Sequence, residues 1–319
     1  MTLLSSETFV PAHNRHMVQY GLWSNCCNNC KFCLIEDKHQ YSKEEQLYWI
    51  DCTKQNLDYV DWKGKFAYGI SILGGEIFYI KDREIQLAFL DLIDAVIDKV
   101  LIPCQPTARY SFVSNGLYDT SFLFEVVDKV RDRIGVHAVD ANFSYDMKYR
   151  YANENARRLA MNTINTFADR YNYQPGVQMI LTQYVIDMWK SGQFDVVDFM
   201  RTNFPKGNLC FLYPHPINTG IDLPDFQFKR KDFFEFMVYL KERAPRVYHD
   251  FINSTKNSGT FKYTGLDSKN PADGVDYQPV LSNGKEYIQE RCGHSTLYKC
   301  YSDSDKCVLC DLHILDADL

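Results

Sequence analysis

Apolar residues recur along the chain in two alternating patterns, short β-type runs and longer stretches with helical spacing. The β-type runs are rich in Val, Ile, Tyr and Phe, and most are flanked by Gly, Asn, Asp or Pro. They predict six strands, over Met17–Trp23, Phe66–Leu73, Arg109–Ser114, Val136–Ser144, Val177–Gln183 and Asn208–Tyr213.

Amphipathic stretches lie between these runs. In the clearest, Arg83–Leu101, apolar side chains three and four residues apart share one helix face. Further helices are predicted over Lys43–Tyr59, Thr120–Arg133, Asn153–Tyr171, Trp189–Asn203 and Lys231–Ile252. Successive strand-then-helix units predict an α/β fold with a parallel sheet, either a barrel or an open doubly wound sheet. Six units are too few for an eightfold barrel, so we expect a partial (βα)6 TIM-like barrel over residues 1–252.

The composition changes after Ile252. Residues 253–287 are dominated by Asn, Ser, Gly, Asp, Lys and Pro without a sustained period, which is typical of a linker or long loop. Residues 288–319 are rich in cysteine. We therefore expect a small four-cysteine metal-binding extension at the C-terminal end.

The composition excludes several classes of protein. The chain has 319 residues, of which 45% are hydrophobic, so it can bury a sizeable core. No apolar run approaches the roughly 18–20 residues that span a bilayer. The first 16 residues lack the pattern of a secretion signal, which favours a cytoplasmic location without a membrane partner. The net charge of −6 disfavours nucleic acid as a partner.

Eleven cysteines are the unusual part of the composition. In a reducing compartment they are better explained as metal ligands or catalytic groups than as disulfides. Cys26, Cys30 and Cys33 form a C-x3-C-x2-C motif directly after the first predicted strand. Three thiolates so close together can converge on a soft-metal centre. On spacing alone, a zinc knuckle or a group of buried thiols stays open.

Further motifs follow at the ends of the next strands. Gly74-Gly75-Glu76 ends the second, Ser114-Asn115-Gly116 the third, and Phe143-Ser144-Tyr145-Asp146 the fourth. In this order, and with Phe32 inside the cysteine motif, they resemble the radical S-adenosylmethionine (SAM) superfamily, whose signature is C-x3-C-x-aromatic-C. The resemblance covers roughly residues 20–220.

The resemblance implies a [4Fe-4S] cluster with three irons held by Cys26, Cys30 and Cys33. SAM would chelate the fourth iron. An electron from a flavodoxin- or ferredoxin-type reductant would then split SAM into methionine and a 5′-deoxyadenosyl radical. A motif that started at Cys27 would fit the family less well, so we expect Cys27 to be a non-ligand that is packed or faces solvent.

The resemblance also implies which residues contact SAM. Glu76 would meet the methionine ammonium in a charge-assisted contact, and the two glycines before it would leave room for SAM to approach the backbone. Ile77 departs from the family, which commonly has Pro there. The expected SAM-binding residues are Gly74, Gly75, Glu76, Ser114, Asn115, Ser144 and Asp146.

A second motif, C-x7-C-x6-C-x2-C, lies near the C-terminal end. It comprises Cys292, Cys300, Cys307 and Cys310. An all-cysteine cage suits iron–sulfur and zinc equally, and simple reduced thiols are a third reading. The motif resembles the SPASM or twitch extensions of radical SAM enzymes, although it lacks the full seven-cysteine SPASM pattern. We therefore expect a second [4Fe-4S] cluster, with zinc as the alternative.

Radical SAM enzymes with such extensions often modify peptides or proteins, so the resemblance implies a peptide or protein substrate. A small metabolite or a nucleotide is the alternative, and a non-catalytic iron–sulfur or zinc protein is a rival from another class. The candidate catalytic residues are Asp146 and His215, at the ends of the fourth and sixth predicted strands. His215 could equally be an ordinary loop histidine between two prolines.

Overall fold

A computed structural model describes residues 16–33, 40–59, 67–106, 108–212, 224–256, 260–264, 277–279 and 287–290. Strands and helices alternate along this chain. The strands are β1 His16–Gly21, β2 Ala67–Leu73, β3 Arg109–Ser114, β4 Val139–Ser144, β5 Gly176–Ile180, β6 Asn208–Leu212, β7 Thr260–Thr264, β8 Tyr277–Pro279 and β9 Tyr287–Glu290. The helices are α1 Lys43–Asn56, α2 Arg83–Val96, α3 Ser121–Arg133, α4 Glu154–Tyr171, α5 Gln183–Lys190, α6 Val196–Asn203, α7 Arg230–Arg243 and α8 Pro245–Lys256.

The first six strands form one parallel sheet in the order β1-β2-β3-β4-β5-β6. Tyr20 of β1 lies opposite Ile72 of β2, and Met179 of β5 lies opposite Phe211 of β6. The strand order follows the chain order because each helix carries the chain across to the next strand. The predicted α/β class and its parallel sheet are thus confirmed. The three short strands β8-β7-β9 form a second sheet.

Burial alternates along the later strands of the large sheet. In β4, β5 and β6, one set of side chains is fully buried and apolar, as in Phe143 and Phe211. These rings pack on helices, because Phe143 lies 5.2 Å from Phe167 of α4 and Phe211 lies 6.1 Å from Phe236 of α7, between ring centroids. The alternate positions are half-buried and mostly polar; they are Asp140, Asn142, Gln178, Ile180 and Cys210.

The helices begin where the sequence supplies caps. Ser42 and Glu45 form a reciprocal capping box at the start of α1, with hydrogen bonds of 3.2 and 2.7 Å. The Asp82 carboxylate accepts from two main-chain N–H groups at the start of α2. The predicted apolar stripe of α2 is buried, and the helix continues as a wider π turn over Ile97–Leu101. At both helices the predicted first residue, Lys43 and Arg83, is the one found in the structure.

Two predicted elements between residues 177 and 203 have wrong boundaries. Thr182 caps α5 through its side chain, so the strand predicted to reach Gln183 ends at Ile180 and a helix begins instead. The helix predicted over Trp189–Asn203 is two helices. Gly192 has a φ of 70°, which ends α5, and Asp195 then caps α6. A single glycine thus interrupts a stretch that the apolar spacing alone predicts to be one continuous helix.

The helix predicted over Lys231–Ile252 is also two helices. The break falls at Ala244, directly before Pro245, which starts α8. Proline has no N–H to continue the first helix but is well suited to the first turn of the next. Within the predicted linker, 253–287, α8 extends to Lys256 and the short strands β7 and β8 follow.

The described parts of the chain fall into two compact units. The first draws on residues 1–27, 37–142 and 261–288, and the second on residues 28–36, 143–260 and 289–319. No helix in the described ranges is long and apolar enough to cross a membrane.

Candidate functional site

The N-terminal cysteine motif lies in the loop that follows β1. Its four cysteines, Cys26, Cys27, Cys30 and Cys33, are all half-buried. The first two belong to the first unit and the last two to the second unit. Each pair has its own set of neighbours within its unit.

The turn that begins at Gly74 docks onto this loop through the main chain. The N–H of Gly75 donates to the carbonyl oxygen of Trp23 at 2.8 Å, and the N–H of Glu76 donates to that of Asn25 at 2.8 Å. A Cβ atom at position 75 would lie only 2.4 Å from the Asn25 carbonyl oxygen. Only glycine fits this approach. The space of the missing side chain is therefore filled by the protein's own backbone, whereas the sequence suggested that it leaves room for a ligand.

Glu76 is a buried carboxyl group held by hydrogen bonds. Its side chain accepts from the main-chain N–H of Asn115 at 2.6 Å and from that of Phe78 at 3.4 Å, and the residue is 1% exposed. Burial raises the pKa of Glu76 to about 8, and the negative charge of Cys26 acts in the same direction. The donors that contact it, the two main-chain N–H groups and the Ser114 hydroxyl, are all uncharged. The environment therefore suits a ligand that brings its own cation.

Ser114, a predicted SAM contact, supports this carboxyl group. Its hydroxyl donates to Glu76 at 3.3 Å and shares a 2.6 Å hydrogen bond with the hydroxyl of Tyr118. The residue is 1% exposed. Gly116 has a φ of 68°, which favours glycine at the turn that follows β3. Ser114 therefore lies where it orients Glu76.

Asn115 connects Glu76 with the cysteine loop. Besides its main-chain bond to the carboxyl group, its side-chain Nδ2 lies 3.6 Å from the Sγ atom of Cys26 and 3.6 Å from that of Cys27. Residues from three sequence motifs thus meet within the first unit. We call Cys26, Cys27, Glu76, Ser114 and Asn115 the Glu76 group.

Cys27 lies inside the Glu76 group rather than apart from it. A hydrogen bond with the Cys26 thiol, together with a weaker one from Asn115, lowers the pKa of Cys27 despite partial burial. It is thus half-buried and in polar contact, where the sequence suggested simple packing or exposure. Whether Cys27 is a metal ligand stays a separate prediction.

In the second unit, Cys30 has two nitrogen donors on its sulfur. Asn28 Nδ2 lies 3.4 Å from the Sγ atom and Arg150 Nη1 lies 3.6 Å from it. The Arg150 guanidinium also lies 5.0 Å from the ring centroid of Phe32, the aromatic residue of the motif. These contacts bring a positive charge directly to a predicted metal ligand.

Asp146, a predicted SAM-binding and catalytic residue, is 2% exposed, and the protein already uses both of its carboxylate oxygens. One oxygen accepts from the main-chain N–H of Ile180 at 2.8 Å, and the other accepts from Arg150 Nε. Burial opposes the charge of Arg150, but the negative charges of Asp146 and Cys30 outweigh it and raise the pKa of the guanidinium. The geometry thus makes Asp146 the partner of Arg150. We call Cys30, Phe32, Asp146 and Arg150 the Arg150 group.

Ser144 is buried at the end of β4, and its carbonyl oxygen accepts a hydrogen bond from the hydroxyl of Tyr151. The other predicted site residues lie outside the described residues. They are His215, Cys292, Cys300, Cys307 and Cys310.

The donor set fits an iron–sulfur cluster by its chemistry. Thiols are soft ligands that favour iron–sulfur clusters and zinc, and hydrogen bonds to the sulfurs are typical of cluster surroundings. Here nitrogen donors already contact the Sγ atoms of Cys26 and Cys30. Among the described residues, no three Cys, His, Asp or Glu side chains converge as the ligands of a single metal ion would.

Sequence reasoning missed Arg150. Its contacts depend on residues far apart in the chain, Cys30 and Phe32 on one side and Asp146, which Ile180 supports, on the other. One signal was available, because Arg150 follows the Ser-x-Asp segment by four residues. A lone arginine after a carboxylate is, however, common on protein surfaces.

Comparisons of this chain with protein-family models and with curated protein sequences find no match.

Proposed function

We propose that this chain is a radical SAM enzyme. The observation that carries the proposal is the meeting of three motifs in the Glu76 group. The glycine turn docks on the cysteine loop, the buried Glu76 carboxyl group is held by uncharged hydrogen-bond donors, and Asn115 contacts both Glu76 and Cys26. A turn that merely reversed the chain would have no need of a buried carboxyl group beside thiols.

The predicted site residues would bind different parts of the cofactors. Cys26, Cys30 and Cys33 would hold a [4Fe-4S] cluster, and the Glu76 carboxylate would receive the ammonium of SAM. When bound, the two cofactors supply reductive cleavage of a carbon–sulfur bond and thereby a radical that abstracts hydrogen from the substrate. Asn115 keeps Glu76 and the thiol of Cys26 in register, since it bonds to both.

The protonation of Glu76 matters for this binding step. With a pKa of about 8, the carboxyl group is mostly protonated at neutral pH when no ligand is present. An ammonium group beside it favours the carboxylate, so binding would release the proton from Glu76. The main-chain N–H groups of Asn115 and Phe78 then stabilise the resulting negative charge.

The large sheet supports a partial (βα)6 barrel as the scaffold. In such a barrel the alternating polar positions line the interior, where Gln178 of β5 would offer hydrogen bonds to a polar substrate. A peptide or protein is the proposed substrate, through the resemblance of the C-terminal motif to auxiliary-cluster extensions. Because every predicted cluster needs reduced thiols, the proposal includes a cytoplasmic location and a flavodoxin- or ferredoxin-type reductant.

The test is SAM cleavage by the whole chain. Anaerobically reconstituted protein, reduced with dithionite, is incubated with SAM, and 5′-deoxyadenosine is measured by chromatography. The proposal expects this product together with methionine, in slow turnover without substrate. Protein that takes up iron but yields no 5′-deoxyadenosine would identify a non-catalytic iron–sulfur protein instead.

A matched pair of variants tests the role of Glu76. Glu76→Gln should weaken SAM binding by about 1.5–3 kcal/mol, because a charge-assisted contact becomes a neutral one, while iron uptake is retained. Glu154→Gln, on an exposed carboxylate of α4, is the control and should leave SAM affinity unchanged. Equal SAM affinity in the wild type and the Glu76 variant would remove Glu76 from the site.

A further inference from the structure

Arg150 is a buried cation with contacts on three sides. Its side chain is 12% exposed, and that of its partner Asp146 is 3% exposed. Taking both ions of such a pair out of water carries a desolvation penalty that can exceed their mutual attraction. A buried pair is therefore weak evidence for a purely stabilising role. The third contact of the guanidinium, with the Sγ atom of Cys30, is the one that points to a role beyond stability.

The surroundings fix the guanidinium in this position. Asp146 holds the Nε edge, and the main-chain N–H of Ile180 anchors Asp146 in turn. The ring of Phe32 supports the guanidinium, with 5.0 Å between the guanidinium carbon and the ring centroid. Phe32 is itself 6% exposed and packs on Phe226 with 6.2 Å between ring centroids. The Arg150 side chain therefore has little freedom to change its rotamer.

The backbone on both sides is held as well. The N–H of Lys31 donates to the carbonyl oxygen of Tyr149 at 3.1 Å, which ties the cysteine loop to the segment that carries Arg150. Tyr149 has a φ of 71°, a left-handed conformation that is uncommon for a residue other than glycine. The hydroxyl of Tyr149 donates to Asp225, which also pairs with Lys148. This strained residue directs the next side chain, Arg150, toward Cys30.

We propose that Arg150 is a positioning residue that raises the reduction potential of the cluster bound through Cys30, with Phe32 and Asp146 holding it in place. The inference rests on the proposed function. Reduction adds one electron from the external reductant and so one negative charge. A fixed guanidinium at a ligand sulfur stabilises that added charge through its N–H group and its full positive charge. Asp146 thus acts through Arg150.

The experiment is a redox titration of reconstituted whole chain, followed by the electron paramagnetic resonance signal that changes when SAM is added. That change separates the SAM-binding cluster from any second one. Arg150→Met keeps a side chain of similar length without charge. We expect reduction to become at least tenfold less favourable, a decrease of about 59 mV for a one-electron couple. Arg158→Met, on an exposed arginine of α4, is the matched control and should leave the potential unchanged.

Two more variants keep the inference testable if Arg150→Met fails to hold iron. Arg150→Lys retains the charge and should recover more than half of the decrease. Phe32→Leu leaves Arg150 in the chain but removes the ring beneath it, and it should lower the potential by a smaller amount. An unchanged reduction potential in Arg150→Met would overturn the inference. If only Phe32→Leu binds the cluster, an unchanged reduction potential in that variant would do the same. A wild-type chain that neither binds iron nor cleaves SAM would instead overturn the proposed function.

Discussion

The main-chain N–H of Asn115 donates a 2.6 Å hydrogen bond to the buried carboxyl group of Glu76, while the side chain of the same asparagine contacts the sulfur of Cys26. One residue therefore couples a carboxyl group at the end of β2 to a thiol in the loop after β1. The pairing requires β1, β2 and β3 to lie side by side, as they do in the sheet. It explains why residues so distant in sequence lie together.

Glu76 should make the ligand-free protein less stable as the pH rises. Its pKa is about 8 in the folded chain against an ordinary value of 4.5, so the folded state binds the proton more tightly. The contribution of Glu76 to the free energy of unfolding is therefore fully present below pH about 4.5. Between that pH and pH about 8 it decreases by up to about 1.4 kcal/mol per pH unit. Urea unfolding across this range measures the slope.

Glu76→Gln is the control for that slope, since glutamine does not titrate. The variant loses one hydrogen-bond acceptor, which lowers its stability by a constant of about 1–3 kcal/mol at all pH values. As the pH rises, the free energy of unfolding of the wild type should therefore decrease relative to that of the variant. Parallel curves for the two proteins would contradict the raised pKa.

The cysteines of the N-terminal motif should differ in their importance. Changing Cys26, Cys30 or Cys33 to Ala should abolish 5′-deoxyadenosine formation, because each is expected to hold one iron. Cys27→Ala should retain most of the activity. Cys52→Ala, on a half-buried cysteine of α1, controls for the loss of a thiol as such. If Cys27→Ala is inactive while Cys26→Ala is active, the metal-binding motif begins one residue later than we propose.

Gly75→Ala should displace the cysteine loop. The added Cβ would lie 2.4 Å from the Asn25 carbonyl oxygen, and relieving such overpacking costs about 1–3 kcal/mol. Gly192→Ala is the control, because it should cost a similar amount of stability without a steric clash. The φ of 70° at Gly192 makes alanine unfavourable by about 1–2 kcal/mol, although the space around it is open. Both should lower the melting temperature, but only Gly75→Ala should reduce iron uptake. Full iron loading of Gly75→Ala would show that the loop tolerates the displacement.

The metal content should distinguish the two readings of the C-terminal cysteines. Two [4Fe-4S] clusters predict about eight irons per chain, and about four after Cys26, Cys30 and Cys33 are all changed to Ala. A zinc site predicts about four irons and one zinc, and almost no iron in the triple variant. Elemental analysis decides between them. Zinc retained without iron in the triple variant would refute the second cluster.

Local sequence signals predicted the class of fold well. Alternating apolar runs located all six strands of the large sheet within a few residues, and apolar spacing alone placed the starts of α1 and α2, which Ser42 and Asp82 cap in the structure. Where the prediction was wrong, as at Gly192 and Pro245, the breaker stood in the sequence, but an uninterrupted apolar stripe outweighed it. Helix breaks are decided by backbone conformation, which side-chain periodicity does not report.

The site was predicted less evenly. Motif spacing singled out Glu76 and Asn115, which the structure brings into contact at neighbouring strand ends. It did not single out Arg150, and the SAM contact of Asp146 stays a prediction, beside the hydrogen bonds that both of its oxygens accept within the protein. Contacts of this kind arise from the packing of loops, for which a single sequence carries no regular period.

The alternation of burial in β4, β5 and β6 divides the side chains of the sheet into two sets. Its apolar side chains, such as Phe143 and Phe211, anchor the sheet on the helices and carry the cost of any substitution. The positions between them, including Asn142, Gln178 and Cys210, are only half-buried. In the proposed enzyme, substitutions in this polar row would therefore alter the substrate-facing surface at a smaller cost in stability than substitutions of the buried rings.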